Sequence, residues 1–205
     1  MTGNPPSARP PSARPPSART SAFRIRWLLV VVLIVVVAAL TAAFTYETRT
    51  SSSGSSLADG AVPDGVTVFD DATPAVTQLD ADLLRALRRA ATDAAGSGIE
   101  FYVNSGWRSP EYQDRLLRKA ISEYGSKEEA ARWVATATTS PHVSGDAVDL
   151  GRSEATAWLS AHGAAYGLCQ IYRNEAWHYE LRPEAIDHGC PRMYADPTQD
   201  PRMQQ

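Results

Sequence analysis

Cysteine is scarce in this sequence, since Cys169 and Cys190 are the only two among 205 residues. They do not form the Cys-x-x-Cys spacing that thiolate zinc sites commonly use. A thiolate metal site is therefore not indicated. A metal in this chain would depend on histidine and carboxylate ligands.

Acidic residues are absent before Glu47, whereas five arginines precede it. The first 46 residues therefore carry +5, and because the whole chain carries −3, the remainder carries −8. Nucleic-acid binders present a basic surface to the phosphates. We therefore expect no nucleic-acid partner for the acidic remainder, and we expect any substrate to be recognised by local contacts.

The N-terminus is of low complexity, because residues 5–19 are three copies of Pro-Pro-Ser-Ala-Arg. Such a tract lacks the apolar side chains that a folded core requires. We predict that residues 1–26 form a disordered, Pro/Arg-rich tail on the cytoplasmic side of a membrane.

The membrane assignment follows from the uncharged apolar run at residues 27–46. At about 1.5 Å per residue, a helix of this length reaches roughly 30 Å and spans the hydrocarbon core of a bilayer. The preceding arginines place the N-terminus in the cytoplasm. We predict a single-pass signal anchor. A signal peptide cleaved near Ala43 is the alternative, although the basic leader is long for one.

Residues 47–60 are rich in Thr, Ser and Gly and are predicted to be a flexible linker. Residues 61–205 would then form an extracytoplasmic domain. Because the exterior is oxidising, we predict a disulfide between Cys169 and Cys190. It would connect a strand before Glu175 to the segment that follows the last strand.

The domain shows both helical and strand patterns. Leucines recur at helical spacing, Ser109-Pro110 is a typical helix start, and short β-branched or aromatic runs end at glycines. The predicted helices are 79–95, 110–124, a short one from the Ser126 capping box through residue 134, and 153–165; the predicted strands are 99–103, 147–150, 168–172 and 177–181. Since they do not alternate as regular βαβ units, we predict an α+β fold with a small antiparallel sheet flanked by helices.

A first block of polar residues reads Ser140-x-His142-x-x-Gly-x-Ala-x-Asp149. Proline, serine and glycine within it predict irregular structure over residues 140–146. The apolar run that follows predicts a strand that presents Asp149. A loop bearing His142 would therefore lie next to a strand bearing Asp149.

A second block reads Glu175-x-Trp-His178, at the start of another predicted strand. Strand parity places His178 and Glu180 on one face, so Glu175 should lie in the preceding turn and approach a metal from the side. A catalytic zinc needs three protein ligands and one open position, and His142, Asp149 and His178 supply such a set. Glu175 is then available as the proton carrier.

Together these blocks resemble the VanY family of zinc D-alanyl-D-alanine carboxypeptidases, over about residues 78–195. A third block, Ser105-Gly-Trp-Arg108-Ser109, extends the resemblance. The resemblance implies that Arg108 binds the C-terminal carboxylate of the substrate, and a guanidinium suits that task. It also suggests substrate contacts for Ser140 and for Gln113, although a solvated helix face is an alternative for Gln113. The implied fold is that of the Hedgehog signalling domain.

The resemblance implies one zinc per chain and hydrolysis of peptidoglycan stem peptides, with removal of the C-terminal D-Ala as the first expectation. L,D-carboxypeptidases and endopeptidases of the cell wall share these ligands and are alternatives. A non-catalytic zinc module and an inactive sensor of wall peptides are further alternatives. The presence of both Glu175 and Arg108 favours an enzyme, because a structural zinc requires neither.

Overall fold

The computed structural model describes residues 56–204 of the chain. The strands are β1 (Tyr102–Ser105), β2 (Ala147–Gly151), β3 (Leu168–Gln170) and β4 (His178–Leu181). The helices are α1 (Pro74–Thr77), α2 (Ala81–Ala95), α3 (Pro110–Tyr124), α4 (Lys127–Ala130), α5 (Pro141–Ser144), α6 (Ser153–His162) and α7 (Ala185–His188). Four 3-10 turns, Leu57–Asp59, Gly163–Tyr166, Pro197–Gln199 and Pro201–Gln204, complete the described part.

The strands form one antiparallel sheet in the order β1-β2-β4-β3. Its register places Asp149 directly opposite His178 on β4 and opposite Ser105 on β1. Side chains of directly opposed residues on one face are close neighbours. The predicted α+β class with a small antiparallel sheet is therefore confirmed, and the sheet itself brings the two sequence blocks together.

Helix α2 supplies much of the core that covers the sheet. Its buried stripe includes Leu83 and Leu87, which belong to one cluster with Val148, Leu150 and Tyr179 of the sheet. The helix begins two residues later than predicted. The reason is that the Asp80 carboxylate accepts hydrogen bonds from the second and third backbone N–H groups of the helix and so acts as the N-cap.

Helix α3 has the predicted bounds. The Ser109 hydroxyl accepts a hydrogen bond from the backbone N–H of Tyr112, Pro110 occupies the first turn, and Gly125 ends the helix at a φ of 82°. Only glycine adopts that backbone conformation without steric cost. The Ser126 cap is also present, but α4 ends at Ala130 and not near residue 134.

Other local predictions were also wrong. Residues 140–146 were expected to be irregular, yet α5 occupies part of them because Pro141 suits a first helical turn and Gly145, with a φ of 83°, ends it. The first strand was expected at 99–103 and lies at Tyr102–Ser105, because pairing with β2 selects these residues. Strand pairing depends on partners that are distant in the sequence, so local propensity places strand ends poorly.

The predicted disulfide is present between Cys169 and Cys190. The residues after it, 191–204, are called the C-terminal segment below. Tyr194 in this segment donates a backbone hydrogen bond to Ile171 and accepts one from Arg173, both at 3.0 Å. The C-terminal segment is therefore held against the chain that leads from β3 to Glu175.

The predicted tail, the predicted anchor at 27–46 and most of the predicted linker lie outside the described residues. Within 56–204, none of the helices combines the length and the apolar composition that crossing a bilayer requires.

Candidate active site

Three buried side chains from separate elements converge at one site. His142 comes from α5, Asp149 from β2 and His178 from β4. Their potential ligand atoms all lie within 4.8 Å of one another. Nε2 of His142 and Nδ1 of His178 lie 3.4 and 3.1 Å from Oδ1 of Asp149. The set that was predicted from the two sequence blocks is therefore brought together as a group that can hold a metal ion.

The remaining nitrogen of each imidazole ring faces a hydrogen-bond acceptor. Nδ1 of His142 lies 2.8 Å from the carbonyl oxygen of Gly106, and Nε2 of His178 lies 3.2 Å from a carboxylate oxygen of Glu180. Each of these nitrogens would therefore carry the proton and donate it. This is how metal-binding histidines are commonly oriented, because it leaves the other nitrogen free for the metal.

Burial and neighbouring charges determine the protonation of this cluster. Burial, reinforced by the positive charge of Arg108, lowers the pKa of His142. Burial disfavours the charged form of Asp149, yet the surrounding His142, His178 and Arg108 hold the pKa of its carboxyl well below the usual range. Burial also disfavours a charged His178, but its hydrogen bonds to Asp149 and Glu180 raise its pKa to about 9. These two hydrogen bonds therefore favour the protonated form of His178.

Glu175 lies in the turn that leads into β4, as predicted. Its side chain is buried, and Oε2 lies 3.7 Å from Nδ1 of His178. The turn is closed by a backbone hydrogen bond from His178 to the Glu175 carbonyl at 3.1 Å. Burial raises the pKa of Glu175 to about 7, although the charge of His178 opposes the shift. A carboxylate with such a pKa can both accept and return a proton near neutral pH.

Arg108 follows β1 and is oriented by three side chains. Its Nε donates to the Ser105 hydroxyl at 2.7 Å, Nη1 to Gln113 Oε1 at 3.2 Å, and Nη2 to Asp149 Oδ2 at 2.9 Å. A guanidinium has five N–H donors. These contacts use three of them, so two N–H groups are left for a ligand in the cleft.

Gln113 is only 1% exposed and thus does not lie on a solvated helix face. Its amide group donates to the Ala135 carbonyl at 2.9 Å while its oxygen accepts from Arg108. Ser140 is also buried and immediately precedes α5, but its hydroxyl does not cap that helix. Both residues line the cleft beside the metal ligands, and their contact with substrate stays a prediction.

The cleft has a volume of about 390 Å³. All predicted site residues other than the cysteines line it: Arg108, Gln113, Ser140, His142, Asp149, Glu175 and His178. Tyr124 and Trp133 also line it, with their rings stacked at a centroid distance of 6.1 Å, and the exposed Trp177 belongs to the same lining. His162 and His188 are exposed and do not line the cleft.

Sequence reasoning missed the residues that surround His178. Strand parity indicated Glu180 as a neighbour of His178 but not the two arginines that bind its carboxylate, Arg182 and Arg202. It also missed Tyr172, whose ring centroid lies 5.1 Å from that of His178. Arg202 belongs to the C-terminal segment, where no motif or periodicity pointed to a role.

Comparison with known proteins gives results that agree with this geometry. A family model described as VanY, D-alanyl-D-alanine carboxypeptidase, matches residues 76–184. A D-alanyl-D-alanine carboxypeptidase of Enterococcus faecalis is 30% identical over 111 residues, which cover 42% of this chain and 41% of that protein. The chain thus spans about two fifths of the length of this curated relative.

Several solved structures resemble the described fold. VanYB in complex with D-alanine-D-alanine is 26% identical with a TM-score of 0.50, over 54% of this chain and 74% of that one. The LdcB LD-carboxypeptidase is 21% identical with a TM-score of 0.50, over 62% of this chain and 70% of that one, and it supports the fold alone. The matched family range includes Arg108, the ligand set and Glu175. The chain therefore belongs to the VanY family of D-alanyl-D-alanine carboxypeptidases.

Proposed function

We propose that this protein is a zinc metallopeptidase that removes the C-terminal D-Ala from peptidoglycan stem peptides. The observation that carries the proposal is the placement of Arg108 and Glu175 in one cleft with a three-ligand group. The similarity to a VanYB structure that contains D-alanine-D-alanine supports this substrate class.

His142, Asp149 and His178 would hold the zinc. Two imidazole nitrogens and one carboxylate are a donor set that zinc accepts, and three protein ligands leave a position open, as in catalytic sites. When bound, zinc lowers the pKa of a water molecule and polarises the carbonyl of the bond to be cut. This donor set favours an enzyme over a zinc module with a purely structural metal, in which four protein ligands close the site.

Glu175 and Arg108 would carry out the remaining steps. The Glu175 carboxylate takes a proton from the attacking water and returns it to the nitrogen of the leaving D-Ala, so its own protonation state is restored. The free N–H groups of Arg108 bind the terminal carboxylate of the substrate and place the last peptide bond next to the ligand group. Gln113 and Ser105 hold the guanidinium in that orientation.

Zinc affinity is expected to increase with pH. The hydrogen bonds of His178 to Asp149 and Glu180 raise its pKa to about 9, so at lower pH its Nδ1 carries a proton that zinc must displace. Displacement of one proton predicts about tenfold tighter binding per pH unit between pH 6 and 8. Competition with a chromogenic chelator at several pH values measures this slope. A zinc affinity that is independent of pH would contradict the release of a proton from His178 when zinc binds.

The function itself is tested by Arg108→Ala with paired peptides. A hydrogen bond between a charged donor and a carboxylate contributes about 1.5–3 kcal/mol, so kcat/KM for a stem peptide with a free C-terminus should fall about 10- to 150-fold. The same peptide with an amidated C-terminus should be a poor substrate of the wild type and should lose little more in the variant. Arg118→Ala, which removes an exposed arginine of α3, is the matched control.

Mass analysis of the products identifies the bond that is cut. Release of D-Ala from the free acid alone supports the proposed exopeptidase. Equal cleavage of the free and amidated peptides would contradict a carboxylate anchor at Arg108 and would indicate an endopeptidase instead.

We propose further that the predicted segment 27–46 anchors the enzyme with its catalytic domain outside the cell membrane. Peptidoglycan lies on that side, and the disulfide between Cys169 and Cys190 agrees with an oxidising exterior.

A further inference from the structure

We infer that the C-terminal segment is part of the active site, because Arg202 and Asp200 position the His178 ring through Glu180 and Tyr172. The inference rests on the proposed zinc site, since it concerns the orientation of one of the proposed ligands. The family match ends at residue 184, so Asp200 and Arg202 both lie beyond it.

The edge of the His178 ring is held through Glu180. This carboxylate is 0% exposed and accepts hydrogen bonds from Arg202 Nη1 at 2.7 Å and from Arg182 Nη2 at 2.6 Å. Its other oxygen lies 3.2 Å from Nε2 of His178. A buried carboxylate needs paired charges to stay ionised and in place. Arg202 therefore maintains the acceptor that fixes which nitrogen of His178 faces the ligand group.

The same ring is also contacted by Tyr172. The two rings lie 5.1 Å apart, and the Tyr172 hydroxyl donates to Asp200 Oδ2 at 3.0 Å. Asp200 is 0% exposed and accepts bonds from the backbone and the guanidinium of Arg202. The C-terminal segment thus contacts both groups that restrict rotation of the His178 ring.

The segment is fixed at several points along its length. The disulfide holds its start, Tyr194 forms two backbone hydrogen bonds with the chain after β3, and Asp196 is paired with Arg132 at 3.3 Å. Pro197 and Met203 line the active-site cleft. The segment therefore has a defined position. The contact between Arg202 and Glu180 can for this reason orient His178.

A merely stabilising role for Arg202 makes a different prediction from a positioning role. If Arg202 only stabilised the fold, its loss would lower the temperature of unfolding, but the folded protein would still bind zinc with unchanged affinity. If Arg202 positions His178, the folded protein itself must bind zinc more weakly. Removal of outer partners of metal-binding histidines typically costs about 10- to 100-fold in metal affinity.

The test measures zinc affinity of the full chain by chelator competition, with circular dichroism to verify folding. Arg202→Ala is expected to bind zinc more weakly than the wild type, by up to the roughly 10- to 100-fold loss typical for a direct partner of a metal-binding histidine. Its cobalt-substituted form should show an altered visible spectrum, because that spectrum reports ligand geometry. Arg202→Lys, which retains the charge but not the forked contact, should recover part of the affinity. Arg192→Ala removes an exposed arginine of the same segment and should match the wild type.

The outcomes separate this inference from the proposed function. Wild-type zinc affinity and an unchanged cobalt spectrum in folded Arg202→Ala would overturn the inference and leave the zinc site intact. A wild type that binds no zinc would overturn both. If Arg202→Ala does not fold, Asp200→Asn decides in its place, since it preserves the size of the side chain. Weaker zinc binding by folded Asp200→Asn supports the inference, and unchanged binding overturns it.

Discussion

Replacing Glu175 with glutamine is expected to lower kcat about 10²- to 10⁴-fold while zinc remains bound. This is the range that a positioned general base contributes. Glutamine preserves the shape of the side chain but cannot take a proton from water. Glu175 is not one of the three convergent ligands, so metal content should stay at one zinc per chain. KM should change little, because the substrate is held by other groups.

The measurement is turnover of a defined stem peptide together with metal analysis of the same sample. Glu154→Gln, which changes an exposed carboxylate at the start of α6, is the matched control and should retain full activity. Turnover within tenfold of the wild type in Glu175→Gln would contradict the assignment. Glu180 is a poor substitute as base, since both of its oxygens are engaged by His178 and two arginines.

Replacing His142 with alanine is expected to abolish metal binding at stoichiometric zinc and, with it, activity. The variant retains only two of the three ligands. Its zinc affinity should therefore fall by more than roughly 100-fold, which is the upper limit when a residue that contacts a metal ligand, but not the metal, is removed. His162→Ala removes an exposed histidine outside the cleft and should retain both metal and activity. Metal analysis after dialysis measures the effect.

A chelator experiment complements this variant. The wild type should lose activity when zinc is withdrawn and regain it when zinc is restored, whereas His142→Ala should stay inactive at the same zinc concentration. A His142→Ala protein that still carries one zinc per chain would contradict the ligand assignment.

The ligand set was predictable because its residues stand in short blocks with constrained local geometry. Asp149 follows a turn and an apolar run, and His178 opens a strand, so both were assigned to strands without knowledge of the sheet. What the sequence alone did not indicate is the register that places these two residues opposite each other. Register depends on side chains from the whole core, which have no local signature.

The surroundings of His178 were less predictable for a related reason. Glu180 was placed on the correct face by strand parity, yet its partners could not be identified. An ion pair between Glu180 and Arg202 joins a strand to a 3-10 turn twenty-two residues later. In the sequence, neither residue can be distinguished from an ordinary charged surface residue. Helix α5 shows a smaller failure, because proline and glycine can bound one helical turn as well as a loop.

The two carboxylate oxygens of Asp149 face different partners. Asp149 therefore connects the binding of zinc with the binding of the substrate carboxylate in the proposed reaction. Oδ1 faces the imidazole rings, whereas Oδ2 accepts a hydrogen bond from Arg108 at 2.9 Å. A substrate carboxylate that binds Arg108 must change the electrostatic interaction between Arg108 and Asp149. Linkage then requires reciprocity, because the factor by which zinc changes the affinity for a peptide acid equals the factor by which that peptide changes the affinity for zinc. A non-hydrolysable peptide acid should therefore alter the zinc affinity measured by chelator competition, and its amide should not.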